Sequence, residues 1–368
     1  MMKFPRFLTT ACCAALLAVA AALPAVSQAQ TKLRIQSGFP AKGTFADGAS
    51  LWAERVSALS GGRLVIEMLP PGSVAPVFDS LEAVHKKVLD GAHVAPAYWL
   101  GKNRAATLFG PAPGGPFGMD EIDYLGWIYE DGGLELYREF YQVQLKMNVV
   151  PFPMTAVGHQ SMGWFKQPVK SWADLKGRKC RQTGITAEVF SKSGMATVNM
   201  PGGEILAAAE RGVIDCAEWV GPGDDSIVGF HTVWKHFYAQ SLHEPATSVE
   251  ILINGDVWKA LAPDLQAIIH SAAIETTLRS LSRRNRLDAA ALRDMPKHGV
   301  TVHRTPDDIL KKTLESWDEI AKEEAAKNPF FKKVFDSQRN WASQVVPTRR
   351  TTTSPYNFSA NHYWPEKK

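Results

Sequence analysis

Four side chains spread through the middle of the sequence have the types needed to hold an organic anion beside a metal ion. They are Gln160 in "AVGHQSMGW", Arg181 in "KCRQT", Glu218 in "IDCAEW" and Glu244 in "SLHEP". An arginine offers a planar fork that grips a carboxylate through two hydrogen bonds. Two glutamates and a glutamine oxygen form a hard, oxygen-only donor set suited to Na⁺ or Ca²⁺ and unsuited to zinc. Without a cation, two acids meeting in a buried cleft would repel and lose hydration at a cost of several kcal/mol. Taken singly, each residue has a plainer reading. An arginine in a strand is usually half-exposed, and a glutamate before Gly221-Pro222 is usually solvated. Trp219, one of eleven tryptophans, could simply be core.

The elements around them alternate. Lys32–Gln36, Leu64–Leu69, Ala92–Pro96 and Asn148–Phe152 read as strands, separated by helical runs over Phe45–Leu59, Val77–Asp90 and Asp120–Gln144. After Ser171, which starts the short helix "SWADLKG", the pattern repeats. "KCRQT", "ATVNM" and "IDCAEW" are strands, with helices over Ala187–Ser193 and Gly203–Arg211 between them. Such alternation predicts α/β layers with largely parallel sheets, where ligands bind off the carboxyl ends of strands. Glu218 and Trp219 fall at such an end, and Arg181 stands within its strand, with Cys180 facing the opposite way, into the protein. Gln160 and Glu244 stand where the chain should leave the first lobe and return to it. A strand over Ser248–Asn254 follows. A helix restarted by Pro263 then runs unbroken to about Met295, roughly 50 Å, long enough to bridge two domains. Helices over Asp307–Lys327 and Pro329–Val345 precede a polar tail that reads as irregular.

Lys3 and Arg6, an apolar stretch from about Leu8 to Leu23, and Ser27-Gln28-Ala29 form a secretory leader over residues 1–29. Its removal lowers the formal charge from +4 to +2, because Lys3 and Arg6 are lost. A near-neutral chain without a basic block excludes nucleic acid as a partner. About 340 remaining residues suggest two domains. No phosphate-cradling loop, Gly-x-Gly-x-x-Gly turn or Gly-x-Ser-x-Gly elbow is present. His231 and His236, five apart, fall on different faces of a helix and should share no zinc. Asp224-Asp225, beside a Gly-Pro turn, reads as a solvated loop.

The mature chain resembles the solute receptors of tripartite ATP-independent periplasmic (TRAP) transporters. The resemblance is carried by "SWADLKGRKCRQTG", "MPGGEILAAAERGVIDCAEWVGP" and "DGAHVAPAYWLGKN". It is most similar to the alpha-keto-acid-binding subgroup, whose glutamine, arginine, Glu-Trp pair and later glutamate fall on Gln160, Arg181, Glu218-Trp219 and Glu244, at spacings of 21, 37 and 26 residues. The resemblance implies two α/β lobes around a cleft that closes on ligand. Lobe I would comprise 31–156 plus 246–285, and lobe II 157–245 plus 286–345 with the C-terminal helices, leaving 346–368 as an irregular tail. It further implies that Arg181 grips the ligand carboxylate. Glu218, Glu244, Gln160 and the Trp219 carbonyl would hold Na⁺ or Ca²⁺. A periplasmic receptor of this kind passes a small 2-oxo or 2-hydroxy monocarboxylate to a membrane permease and catalyses nothing.

Tyr98, Trp99 and Phe39 are the candidates for the apolar wall, with core packing as their competing role. The C-terminal helices resemble an extension that can pack across a homodimer. The stripe Leu310, Leu314, Trp317, Ala321, with Ile320 beside it, is equally well explained by packing on its own chain. Cys180 and Cys216, outside the motif, lie next to Arg181 and near Glu218 and could form a disulfide beneath the site; the sequence leaves open whether they pair or stay free thiols. The competing readings are a receptor of the same fold for an amino acid, sugar acid or aromatic acid, and a secreted enzyme using Glu218 and Glu244 as acid and base.

Overall fold

A computed structural model describes residues 30–365 apart from 111 and 114, so the leader expected over 1–29 lies outside the described residues. Two sheets organise the chain. The first holds β1 (Thr31–Ser37), β2 (Leu64–Leu69), β3 (Gly91–Val94), β4 (Val149–Gly158) and β10 (Thr247–Asn254), in the order β2-β1-β3-β10-β4. The second holds β5 (Gly163–Phe165), β6 (Lys179–Arg181), β7 (Ala196–Val198), β8 (Cys216–Ala217), β9 (His236–Tyr238) and β11 (Thr301–His303), in the order β11-β9-β5-β8-β6-β7. This is the expected two-lobed α/β architecture.

Both lobes are tied by β4 and β10, which pair antiparallel and are buried along their whole length. Pro151 and Pro153 are tolerated in β4 because it is an edge strand, where the missing N–H groups break no second ladder. The two strands run on side by side into the second lobe. There the Gln160 N–H donates to the Glu244 carbonyl at 2.8 Å. The residues expected at the domain crossings are therefore fixed to each other by the backbone.

Two helices frame the cleft, α1 (Thr44–Leu59) in the first lobe and α2 (Pro222–Val228) in the second. The long helix α3 (Pro263–Asp294) packs on β4 and α1 at one end and on α2 at the other, as the unbroken run after Pro263 predicted. Leu265, Ile269, Ala272 and Ala273 of α3 join Leu33, Trp52 and Phe152 in one core.

The C-terminal segment departs from expectation. Helix α4 (Asp307–Lys327) lies against the second lobe's helix Thr186–Ser191. Helix α5 (Pro329–Thr352) instead returns to the first lobe, where Phe330, Phe331, Val334 and Phe335 pack among Phe109, Trp127 and Tyr137. Asn328 makes the turn, its side chain accepting from the N–H groups of Phe330 and Phe331. Gln338 Nε2 donates to the Leu108 carbonyl at 2.7 Å and Trp341 Nε1 to the Asp123 carbonyl at 2.8 Å. The irregular tail expected from residue 346 is helical as well. Pro347 sits inside α5 on an exposed face, where the Ser343 carbonyl it leaves unpaired can turn to water. A further helix, α6 (Tyr356–Tyr363), follows.

Cys180 and Cys216 are bonded across neighbouring parallel strands, with Cα atoms 4.5 Å apart. Replacing both by serine is expected to cost about 3–4 kcal/mol through the 36-residue loop it releases, read from urea unfolding midpoints.

Glu250, wholly buried on β10, accepts hydrogen bonds from Trp99 Nε1 and from the hydroxyls of Tyr137 and Tyr141, and burial pushes its pKa up to about 7. Folded Glu250 thus keeps its proton where the unfolded carboxyl has released it, so its contribution to stability falls as pH rises from about 4.5 to about 7. His93 and His243, held down to about 3 by burial, tilt the total the other way. The expected outcome is therefore a difference. The stability of wild type minus that of Glu250→Gln, from chemical melts, should decrease between pH 5 and pH 7.5.

Candidate functional site

The cleft site is assembled at one edge of the second sheet. Arg181 ends β6 and Glu218 directly follows β8; these strands are parallel neighbours, with Cys180 opposite Cys216 and Arg181 opposite Ala217. Both side chains therefore leave the same carboxyl edge while the cysteines lock the strands beneath them. β5 closes against β8 only because Gly163 has no side chain. Its φ is +108°, and a Cβ there would lie 2.2 Å from the Ala217 carbonyl oxygen. Gln160, Arg181, Glu218 and Glu244 are all at least 96% buried. The structure brings together the four residues that the sequence separates by as much as 84 positions (160 to 244).

Arg181 donates through Nη1 to Glu218 Oε1 at 2.5 Å and to the Glu218 carbonyl at 3.2 Å, and through Nε to the Met200 carbonyl at 3.2 Å. Its guanidinium stands 5.6 Å from the Trp219 ring centroid, over the face. Gly202 lets that ring approach, since a Cβ there would come within 2.2 Å of it. Burial pushes both carboxyls up. Arg181 pulls back on Glu218, whereas Glu244 is driven well above the usual range by burial and then by the Glu218 charge. Gln160 Nε2 donates to Thr247 Oγ1 at 3.2 Å, while its Oε1 is buried without a partner. An unsatisfied amide oxygen beside two acids that repel each other calls for a cation. The donors present fit a hard ion such as Na⁺ or Ca²⁺.

About 40 Å³ of free space remains among Phe45, Ala95, Ala97, Tyr98, Gln160, Arg181, Glu218, Trp219 and Glu244, with Thr183, Thr247 and Ser248 completing the lining. Tyr98 lines this space as expected. Phe39 backs it, stacked on Phe45 at 4.3 Å between centroids. Trp99 does not reach it; its ring is in the first lobe's core and its N–H is spent on Glu250. In the tight turn Pro96–Trp99, consecutive side chains diverge by about 120°, so only one of the two aromatics can face the cleft. Phe45 was missed; it stands in the first turn of α1, directly after the loop that leaves the carboxyl end of β1, a position of the kind that lines such clefts. His243 was missed too. It is fully buried, and it is the histidine in the one group among the described residues, Glu218–His243–Glu244, whose ligand atoms lie within 4.8 Å of one another. Burial and then the Arg181 charge hold it neutral, at about 3.

Asp224 and Asp225 are not a solvated loop. They occupy the first turn of α2, 2% and 0% exposed. The hydration that a sequence reading grants such a pair is replaced by donors, two of them from distant segments: Thr44 for Asp224 and Trp164 for Asp225, which also accepts from the nearby Val220 and Gly221 N–H groups. His231 and His236 are not on one helix as the sequence suggested: His231 lies in the short turn Phe230–Thr232 and His236 opens β9, each beside another histidine, His298 and His303.

Two α/β lobes on crossing strands, with a buried arginine, two acids and an amide gathered between them, define a solute-binding receptor. Residues 37–328 match the DctP family, bacterial extracellular solute-binding protein family 7, and the chain belongs to that family. It is 32% identical over 320 residues, 87% of this chain and 86% of the other, to a monocarboxylate 2-oxoacid-binding periplasmic protein of Nostoc sp.. It is similar to the crystal structure of a TRAP transporter solute binding protein from Bordetella bronchiseptica RB50, a mixed-occupancy dimer with copurified calcium and picolinate. There the TM-score is 0.86 at 29% identity, covering 91% of this chain and 99% of that one. A TRAP periplasmic solute binding protein from Pseudoalteromonas atlantica T6c, with bound sodium and pyruvate, matches at TM-score 0.83 and 28% identity, covering 90% and 99%. Among the described residues no helix is long and apolar enough to cross a membrane.

Proposed function

We propose that this protein is a periplasmic TRAP receptor that binds a small 2-oxo or 2-hydroxy monocarboxylate together with Na⁺ or Ca²⁺ and hands it to a membrane permease. The observation that carries this reading is the buried convergence of Arg181, Glu218 and Glu244 around the partnerless Gln160 Oε1. Arg181 would take the ligand carboxylate in a bidentate grip, in place of its present bond to Glu218. Gln160 Oε1, Glu218, Glu244 and the Trp219 carbonyl would hold the ion. The ion's contribution is to make a 2-oxo acid a chelate, which separates such acids from plain fatty acids. One arginine and one cation then face two glutamates and a ligand carboxylate, a sum of −1 with Na⁺ and zero with Ca²⁺. The small space walled by Phe45, Tyr98 and Trp219 favours a short aliphatic tail. The comparisons with 2-oxoacid-binding and pyruvate-bound proteins support the same ligand class.

As a receptor the protein turns nothing over, and the leader over residues 1–29 would deliver it to the periplasm. A homodimer is part of the same reading. Trp317, Ile320 and Ala321 are used up in the chain's own core, whereas Tyr356, Phe358, Tyr363 and Trp364 on and beside α6 are exposed and would meet a second copy. Sedimentation of a chain ending at Ser354 checks this; an unchanged mass would remove α6 from the interface.

The decisive experiment is a thermal-shift screen of pyruvate, longer 2-oxo acids, propionate and alanine, each with and without Na⁺ or Ca²⁺. Pyruvate at a hundredfold excess over its Kd should stabilise by about 2.7 kcal/mol, and only with cation. Propionate should do nothing. A shift by alanine alone would favour an amino-acid receptor, and turnover of pyruvate would favour an enzyme.

A further inference from the structure

The acid pair on α2 has a use that the ligand site alone does not explain. Asp225 Oδ1 accepts from the Val220 and Gly221 N–H groups at 3.0 Å each, and Oδ2 accepts from Trp164 Nε1 at 2.9 Å. The Val220 N–H belongs to the same peptide unit as the Trp219 carbonyl. The chain contains no cis peptide among its described residues, so that carbonyl points away from Asp225. A buried carboxylate held against the N–H end also polarises the amide and makes its oxygen a stronger donor to a cation. The next peptide is pinned from other directions: the Val220 carbonyl accepts from the Ser161 N–H at 3.3 Å and from Arg284 Nη2 at 3.2 Å.

Asp224, one residue earlier, faces the other lobe. It accepts from the Thr44 N–H at 2.5 Å and from the Thr44 hydroxyl at 2.7 Å, across 180 residues of sequence. Thr44 opens α1, so the carboxylate sits at that helix's positive end. Gly43 makes the approach possible, because a Cβ there would lie 2.5 Å from Asp224 Oδ1. Phe45, the next residue, presses its ring edge-on against Trp219 at 5.8 Å between centroids.

We infer that Asp225 is the positioning residue for the Trp219 carbonyl, and that Asp224 is a latch between the lobes, so that one turn of α2 couples the cation site to closure of the cleft. This rests on the proposal above that the Trp219 carbonyl holds a cation. A cation drawing on that carbonyl fixes the 219–221 loop. Through Asp225 the loop fixes α2, and α2 presents Asp224 to the start of α1. Neither acid touches the solute in this scheme.

The test uses the full mature chain, with pyruvate as ligand and Na⁺ or Ca²⁺ as titrant. In calorimetry Asp225→Asn should raise the cation concentration for half-maximal pyruvate binding about tenfold, while pyruvate affinity at saturating cation stays near wild type. Trp164→Phe removes a hydrogen bond and core packing yet leaves the carboxylate behind the peptide, so it should keep the wild-type cation midpoint. Asp224→Ala should raise the cation midpoint, by reciprocity but by less than Asp225→Asn does, while pyruvate should dissociate about tenfold faster and the decrease in radius of gyration on binding, from X-ray scattering, should shrink. If Asp225→Asn moves the cation midpoint no more than Trp164→Phe does, or if Asp224→Ala closes and releases like wild type, the coupling is overturned while the cation site stands. Wild-type pyruvate binding that ignores both cations would overturn the cation site itself, and the coupling with it.

Discussion

Arg181→Ala is expected to lose all calorimetrically measurable carboxylate binding and, in addition, to unfold at lower denaturant. The second effect comes from Glu218. The guanidinium bonds a carboxylate that is 1% exposed. Removing it leaves a buried, unpaired charge, a change that costs about 3–5 kcal/mol in comparable pairs. Arg181→Lys keeps the charge but loses the planar fork. It should fold close to normally while weakening pyruvate roughly tenfold or more. The double variant Arg181→Ala with Glu218→Gln separates the two effects, since removing both charges should recover much of the stability and none of the binding. Pyruvate affinity in Arg181→Ala within about threefold of wild type would mean that the carboxylate is gripped elsewhere.

Much of this arrangement was readable from residue order, and the parts that were not share a cause. Alternating strands and helices place Glu218 at a carboxyl edge and Arg181 in a strand of the same half, because strand ends follow from local pattern; that Arg181 is itself the last residue of β6 is seen only in the structure. The long helix after Pro263 is legible for a similar local reason: nothing interrupts it. What local pattern cannot supply is the identity of a partner far along the chain. Asp224 reads as solvated until Thr44 is seen to meet it, and Trp99 reads as a cleft aromatic until Glu250 is seen to take its N–H. The return of α5 to the first lobe depends on which surface receives Phe330, Phe331 and Phe335, and apolar periodicity leaves that open. Pro347 misleads in the opposite direction. It signals a helix end, yet on an exposed turn the missing hydrogen bond is cheap enough for the helix to continue. His243 was hidden by its neighbour, since the sequence offered Glu244 as the evident ligand in the same five residues.

Glu244→Gln should separate stability from function in the direction opposite to Arg181. Burial and the nearby Glu218 charge both oppose ionisation of Glu244, and Arg181 already favours Glu218 with its shortest bond. At neutral pH the cation-free fold therefore carries either a misplaced proton or an unrelieved repulsion. Glutamine keeps the volume and one acceptor oxygen and removes the charge, so the cation-free variant should be more stable than wild type by about 1–2 kcal/mol in chemical melts. The same change takes one of two anionic donors from the ion. Cation affinity should fall about a hundredfold or more, exceeding the 10–100-fold typical when a group one layer further out is lost. The increase in pyruvate binding produced by Na⁺ or Ca²⁺ should disappear with it. A Glu244→Gln chain that is less stable than wild type and still responds to cation would show that this acid holds the domain crossing together, with the ion, if any, lying elsewhere in the cleft.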